Sequence, residues 1–96
     1  MAVHQTILDL IGNTPVVDVS KLSPNPAVKI FAKLENQNPA GSVKDRIAKS
    51  MVLQAEKEGL LKPGCTLIEP SSGNTGIALA MIASMRNYQL KIVLPQ

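Results

Sequence analysis

Lys44 stands where stability alone would not put a lysine. It falls in the run Asn38-Pro39-Ala40-Gly41-Ser42-Val43-Lys44-Asp45-Arg46. There Ser42 reads as a helix N-cap, and Asp45, three residues on, as its capping-box partner. Lys44 then lies in the first helical turn and faces the positive end of the helix macrodipole, where carboxylates are stabilised and ammonium groups are not. The same field favours the neutral amine, and a neutral amine is the nucleophile that carbonyl chemistry requires. A local rule broken without compensation marks a candidate functional site. The competing reading is a surface lysine that snorkels into water.

A second constellation follows at Glu69-Pro70-Ser71-Ser72-Gly73-Asn74-Thr75-Gly76, between a strand pattern and a helix pattern. Gly73 and Gly76 permit close backbone approach. The free amides of the helix N-terminus point at an anion, and Ser71, Ser72, Asn74 and Thr75 add side-chain donors around the same spot. Such a nest suits a carboxylate or a phosphate; ordinary helix capping uses the same residue types. The loop matches neither G-x-x-x-x-G-K-[ST] nor G-x-G-x-x-G, so nucleotide binding is weakly supported. An activated lysine beside a carboxylate cradle is what an enzyme needs to hold an amino acid through pyridoxal 5′-phosphate, the electron sink that makes loss of an α-proton feasible.

The elements that must position these residues alternate. Residues 5–11 read as a short helix ended by Gly12-Asn13, 14–19 as a strand, Ser23-Pro24-Asn25-Pro26 as a turn and 28–34 as a strand. Residues 43–58 form an amphipathic helix with Val43, Ile47, Met51, Val52 and Ala55 on one stripe. Cys65 to Glu69 reads as a short buried strand stopped by Pro70. Residues 73–87 form a helix that is apolar all round, and 89–94 a further strand. Strand–helix–strand–helix–strand predicts an α/β fold with an open, mostly parallel twisted sheet and flanking helices. A lone three-stranded parallel sheet would leave edges and the apolar helix uncovered. The expectation is therefore the N-terminal portion of a longer protein, with oligomerisation as the other source of cover.

Composition excludes several classes. At 45% hydrophobic and 18% charged, the 96 residues are built to bury a core. Phe31 and Tyr88 are the only aromatic residues, and the +3 net charge is spread along the chain without a basic block, which argues against nucleic-acid binding. Cys65 is the only cysteine, which excludes an intrachain disulfide and fits a reducing cytoplasm; His4, the only histidine, sits in a terminus and receives no role. Charged residues interrupt every long apolar run, so no membrane span is expected, and no signal-peptide pattern opens the chain.

The sequence resembles the N-terminal portion of the cysteine synthase (O-acetylserine sulfhydrylase) and cystathionine β-synthase family of pyridoxal-phosphate enzymes, with a tryptophan-synthase-β-like fold. The blocks that carry the resemblance are Ile11 to Val17, Lys33-Leu34-Glu35, Asn38 to Arg46, Leu60 to Gly64, and Glu69 to Ala80, in the family's order over nearly the whole chain. The resemblance implies that Lys44 holds the cofactor covalently and serves as acid and base for the α-proton. It implies that Asn74 contacts the cofactor's phenolic oxygen and the substrate. Ser71, Ser72, Gly73, Asn74 and Thr75 would grip the substrate carboxylate, with Ser71 where the family often has threonine. The family's glycine-rich phosphate loop and its partner for the pyridine nitrogen lie beyond residue 96.

The reaction implied is β-replacement, giving L-cysteine from an O-activated serine (O-acetylserine or O-phosphoserine) and sulfide. A cystathionine β-synthase, serine dehydratase or threonine synthase chemistry is the alternative within the cofactor family, and Ser-Gly-Asn-Thr-Gly fits the first of these better than the dehydratases. An alternative of another class is a truncated, non-catalytic chain acting by association. The resemblance further implies a homodimer, a serine acetyltransferase C-terminal peptide as possible partner, and a division in which residues 1–41 pack on a larger domain and 42–96 begin a smaller one.

Overall fold

Two adjacent helices that start at the same end organise the chain. The computed structural model describes every residue except Met1, Ser72 and Gln96. Short 3-10 helices at Ile7–Leu10, Ser20–Leu22 and Glu35–Gln37 punctuate the first part, with strands β1 (Val16–Asp18) and β2 (Phe31–Lys33) between them. Helix α1 (Lys44–Lys57), strand β3 (Thr66–Pro70), helix α2 (Asn74–Arg86) and strand β4 (Gln89–Val93) follow. Among the described residues no helix is long and apolar enough to cross a membrane.

Strands β3 and β4 pair in parallel from Thr66 opposite Gln89 to Pro70 opposite Val93, with α2 as the crossover. Leu67, Glu69, Leu90 and Ile92 are half-buried, while Ile68 and Val93 on the alternate positions are exposed. The described helices thus cover one face of the pair, and the strand expected to be buried from Cys65 to Glu69 is buried on one side only. Pro70 ends β3 as its last residue. Cys65, just before β3, is half-buried and free, and its Sγ accepts the Lys62 N–H at 3.3 Å.

The first two strands are the antiparallel part of a sheet expected to be mostly parallel. β1 and β2 pair antiparallel, Val16 opposite Lys33 to Asp18 opposite Phe31, as a separate two-stranded sheet. The segment between them turns back with only the 3-10 helix Ser20–Leu22 and no α-helix, and antiparallel pairing needs no crossover. The pairing continues past the strand ends, where Leu34 N–H reaches Pro15 O at 2.9 Å and Val19 N–H reaches Ile30 O at 2.9 Å.

Leu8, Ala48, Val52, Ala78, Leu79 and Ile82 form the core cluster. This corrects part of the helical stripe: Val52 faces inward as expected and Ala48 joins it, whereas Val43, Ile47 and Met51 are exposed by 43% or more. Small Ala48 is fully buried in that cluster, and burying it turns the bulkier 43/47/51 row away. Met51, Val52 and Ala55 instead line a cavity of about 290 Å³ with β3 and Leu79.

At the far ends of both helices Glu56 accepts from Arg86 Nε at 3.1 Å, from Arg86 Nη2 and from the Tyr88 hydroxyl. Arg86, and then Tyr88, hold the Glu56 carboxyl below its usual range, while Glu56 pushes the Tyr88 phenol up. Glu56 sits in the last turn of α1 and Arg86 closes α2, so the C-terminal ends meet and the helices run parallel. Asn87, in the left-handed region at φ 62, ends α2.

Ile82 is fully buried, so Ile82→Ala is expected to cost about 2–5 kcal/mol of stability. Chemical denaturation of the protein checks it, and an unchanged midpoint would show that the helix interface does not carry the fold.

Candidate active site

The start of α1 is fixed by residues drawn from three separate segments. Glu35, after β2, receives Arg46 Nε at 2.7 Å and Arg46 Nη2 at 3.0 Å, a two-pronged pair between the loop and the first turn of α1. Thr14 joins it, donating its hydroxyl to Glu35 and accepting from Arg46 Nη2 at 3.3 Å. The Arg46 guanidinium, and then Thr14, hold the Glu35 carboxyl down at about 2, against a usual 4.5. Gly12 lies beneath this guanidinium at φ +87, and a Cβ there would stand 3.1 Å from Arg46 Nη1. Only glycine suits both the conformation and the contact.

Asn38, 3% exposed, closes the network. Its Oδ1 accepts the Gly12 N–H at 2.8 Å, and its Nδ2 donates to Glu35 Oε2 at 2.9 Å and to the Ser42 carbonyl at 3.0 Å. Ser42 Oγ in turn accepts the Lys44 N–H at 3.1 Å. The cap position itself falls to Val43, one residue later than expected and without a side-chain cap, so Ser42 holds the helix start from just outside it and the capping box does not form. Asp45, fully buried, reaches past Ser42 to accept the Ala40 N–H at 2.6 Å, because Gly41 at φ +93 folds the loop back over the helix start. The second oxygen of Asp45, Oδ1, is buried and finds no donor among the described residues.

Lys44 is the first residue of α1 and half-buried, and its Nζ makes no hydrogen bond or ion pair among the described residues. Asn74 is the first residue of α2. The buried residues of the two helices recur at one spacing, Ala48 and Val52 against Ala78 and Ile82, and Glu56 with Arg86 continues it at 30 residues. Parallel helices of 14 and 13 residues, joined at their C-terminal ends, bring Lys44 and the 71–75 loop to the same end of the pair. Because α2 begins where β3 ends, that end is the carboxyl end of the parallel strands, where open α/β sheets bind ligands.

Within the loop, Ser71 Oγ accepts the Gly76 N–H at 2.9 Å and the Gly73 N–H at 3.4 Å. The amides of Asn74 and Thr75 find no acceptor among the described residues. Asn74 and Gly73 are exposed and Thr75 half-buried; Ser72 lies outside the described residues. The two glycines differ. A Cβ at Gly76 would meet Ile92 Cδ1 and Ser71 Oγ at 3.3 Å, so Gly76 serves close helix–strand packing. At Gly73 nothing lies within 4 Å, and the space is open. A cavity of about 310 Å³ runs along Ser71, Gly73, Gly76, Ile77 and Ile92; Lys44 does not line it.

An amine and two helix amides without partners among the described residues, and open space at Gly73, fit an aldehyde cofactor carrying an amino acid whose carboxylate seeks donors. Residues missed as contributors in the sequence reading are Gly12, Thr14, Glu35, Asn38 and Arg46. A buried-type polar set with no amphipathic explanation, Asn38 beside Pro39 above all, was the available signal.

A family model described as pyridoxal-phosphate dependent enzyme matches residues 7–96. Cysteine synthase B of Salmonella typhimurium is 56% identical over 90 residues, which make 94% of this chain and 30% of that protein. Cystathionine beta-synthase of Apis mellifera is 54% identical over 92 residues, 94% of this chain and 18% of that protein. The crystal structure of a hydrogen sulfide-producing enzyme from Fusobacterium nucleatum matches with a TM-score of 0.93 at 48% identity, over 100% of this chain and 32% of that one. The chain thus spans less than a third of each of these proteins. It shares the tryptophan-synthase-β-like α/β fold expected from its sequence.

The depressed Glu35 carboxyl has a pH signature. Its contribution is fully present above the usual 4.5 and is lost as pH falls toward about 2. Glu35→Gln is therefore expected to lower the melting temperature at neutral pH, with the gap to the wild type closing between those values. A gap of constant size down to pH 2 would mean that the Arg46 pair contributes nothing.

Proposed function

The chain belongs to the pyridoxal-phosphate dependent enzyme family, and we propose that it supplies the lysine and the carboxylate-binding loop of a β-replacement that makes L-cysteine. The observation that carries this reading is the common end shared by Lys44 and the 71–75 loop on two parallel helices. The substrates are an O-activated serine, O-acetylserine or O-phosphoserine, and sulfide.

Pyridoxal phosphate, when bound, supplies an electron sink that makes the α-proton of an amino acid removable. Lys44 would hold the cofactor through Nζ and would serve as the base for the α-proton. Asn74 holds the cofactor's phenolic oxygen and the substrate. The carboxylate is taken by the Asn74 and Thr75 amides with the hydroxyls of Ser71 and Thr75; Ser72 joins them by sequence position, and Gly73 leaves the room. Closure of the 71–75 loop over the substrate keeps water from the reacting β-carbon.

The same residues serve a cystathionine β-synthase-type reaction, which the 54% identity to the Apis mellifera enzyme supports as the second reading. In the division proposed, residues 1–41 pack on a larger domain and 42–96 open a smaller one that carries the lysine helix. The exposed apolar side chains of β1 and β2, among them Val16 at 56% and Phe31 at 60%, support a covering partner for the first part. The protein is read as a cytoplasmic homodimer. The C-terminal peptide of a serine acetyltransferase is a partner of matching chemistry, since its terminal carboxylate suits the same amides.

Lys44→Ala in the intact protein is expected to abolish consumption of O-acetylserine and the absorption band that added pyridoxal phosphate gives with the wild type. A variant that still eliminates acetate at the wild-type rate would contradict the role of Lys44.

A further inference from the structure

We propose that Asn38 is the positioning residue of the Lys44 amine, an inference that rests on the reading of Lys44 given above. Asn38 is a neutral amide, 3% exposed, and all of its polar atoms are engaged. Buried amides persist where each donor and acceptor is satisfied, so this side chain has little freedom to turn. It ties three things together: the amino-terminal arm through Gly12 N–H, the acid of the Arg46 pair through Glu35 Oε2, and the residue two before Lys44 through the Ser42 carbonyl.

Ser42 passes this constraint on. Its hydroxyl oxygen accepts the Lys44 N–H at 3.1 Å and its carbonyl the Asp45 N–H at 3.4 Å. The Ser42 carbonyl that starts the helix is thus the one that Asn38 holds. Between the two, Gly41 N–H returns to the Asn38 carbonyl at 2.8 Å, so the loop closes on itself. None of these contacts involves Nζ. Asn38 therefore acts through the backbone from which the lysine side chain springs.

The consequence is larger for chemistry than for folding. A lysine reaches its target through four methylenes whose origin and direction are set at Cα, and a misplacement of about 1 Å can cost on the order of a hundredfold in rate. The reaction that reports this is condensation of the Lys44 amine with the cofactor aldehyde. It forms a C=N bond and releases water, and borohydride then delivers hydride to leave a stable secondary amine.

The test mixes the intact protein with pyridoxal phosphate, reduces at timed intervals and quantifies the labelled peptides. Asn38→Ala is expected to slow Lys44 labelling about tenfold to a hundredfold, with label spreading to other lysines. Affinity for 4′-deoxypyridoxine 5′-phosphate, which lacks the aldehyde and needs no lysine, is expected to stay unchanged. Asn38→Asp keeps an acceptor for Gly12 but has no donor for the Ser42 carbonyl; it is expected to behave like Asn38→Ala and serves if that variant fails to fold. Val52→Ala, a core change on the same helix, is expected to lower thermal stability without slowing labelling of the folded protein. Lys44 labelling at the wild-type rate in the Asn38 variants overturns the inference. So does a parallel loss of analogue binding, which would make Asn38 merely structural. A wild-type protein labelled elsewhere than Lys44 removes the functional reading itself, a result distinct from both.

Discussion

The pairing of Arg46 with Glu35 is the constraint on which the arrangement depends. It joins the first turn of α1 to the loop after β2, and Thr14 and Asn38 complete it with hydrogen bonds from two further points of the chain. Charge alone would make such a pair weak at a surface. Here the two-pronged geometry, the buried Asn38 and the close-packed Gly12 leave the pair a single arrangement. The helix that carries Lys44 therefore begins where a network tells it to begin, and helix propensity has little say in it.

A second constraint acts at the other end of the same helix. Glu56, Arg86 and Tyr88 bind the C-terminal turns of α1 and α2 together, and the small residues Ala48 and Ala78 are fully buried between those turns and the helix starts. Locked at its start to the amino-terminal arm and at its end to α2, α1 has little freedom to slide. This is why Lys44 and Asn74, far apart in the sequence, head two helices whose C-terminal ends are joined.

The parts of the site written in local chemistry are legible in the sequence. Lys44 closely following Ser42, and a Gly-rich turn between strand and helix, are patterns of adjacent residues, and both fall at the starts of α1 and α2. What could not be read were partners 21 to 32 residues apart, such as Thr14 with Glu35 and with Arg46. Nothing local distinguishes those side chains from solvated ones. Asp45 misled for a related reason: a capping box is a local rule, and Gly41 let the loop offer Ala40 instead. The stripe on α1 holds at Val52 and fails at Val43, Ile47 and Met51, because periodicity ranks positions by hydrophobicity, whereas the helix contact selected the small Ala48 over Ile47. The antiparallel β1–β2 pair escaped because strand order alone does not say which neighbour takes a strand's hydrogen bonds.

The central claim is that Lys44 and the amides of the 71–75 loop address one bound molecule. A crystal structure of the intact protein with pyridoxal phosphate and an unreactive amino acid tests it most directly. Continuous density from Lys44 Nζ to the cofactor, with the amino acid's carboxylate on the Asn74 and Thr75 amides, is the result this account requires. A cofactor joined to another lysine, or a carboxylate held away from that loop, would contradict it.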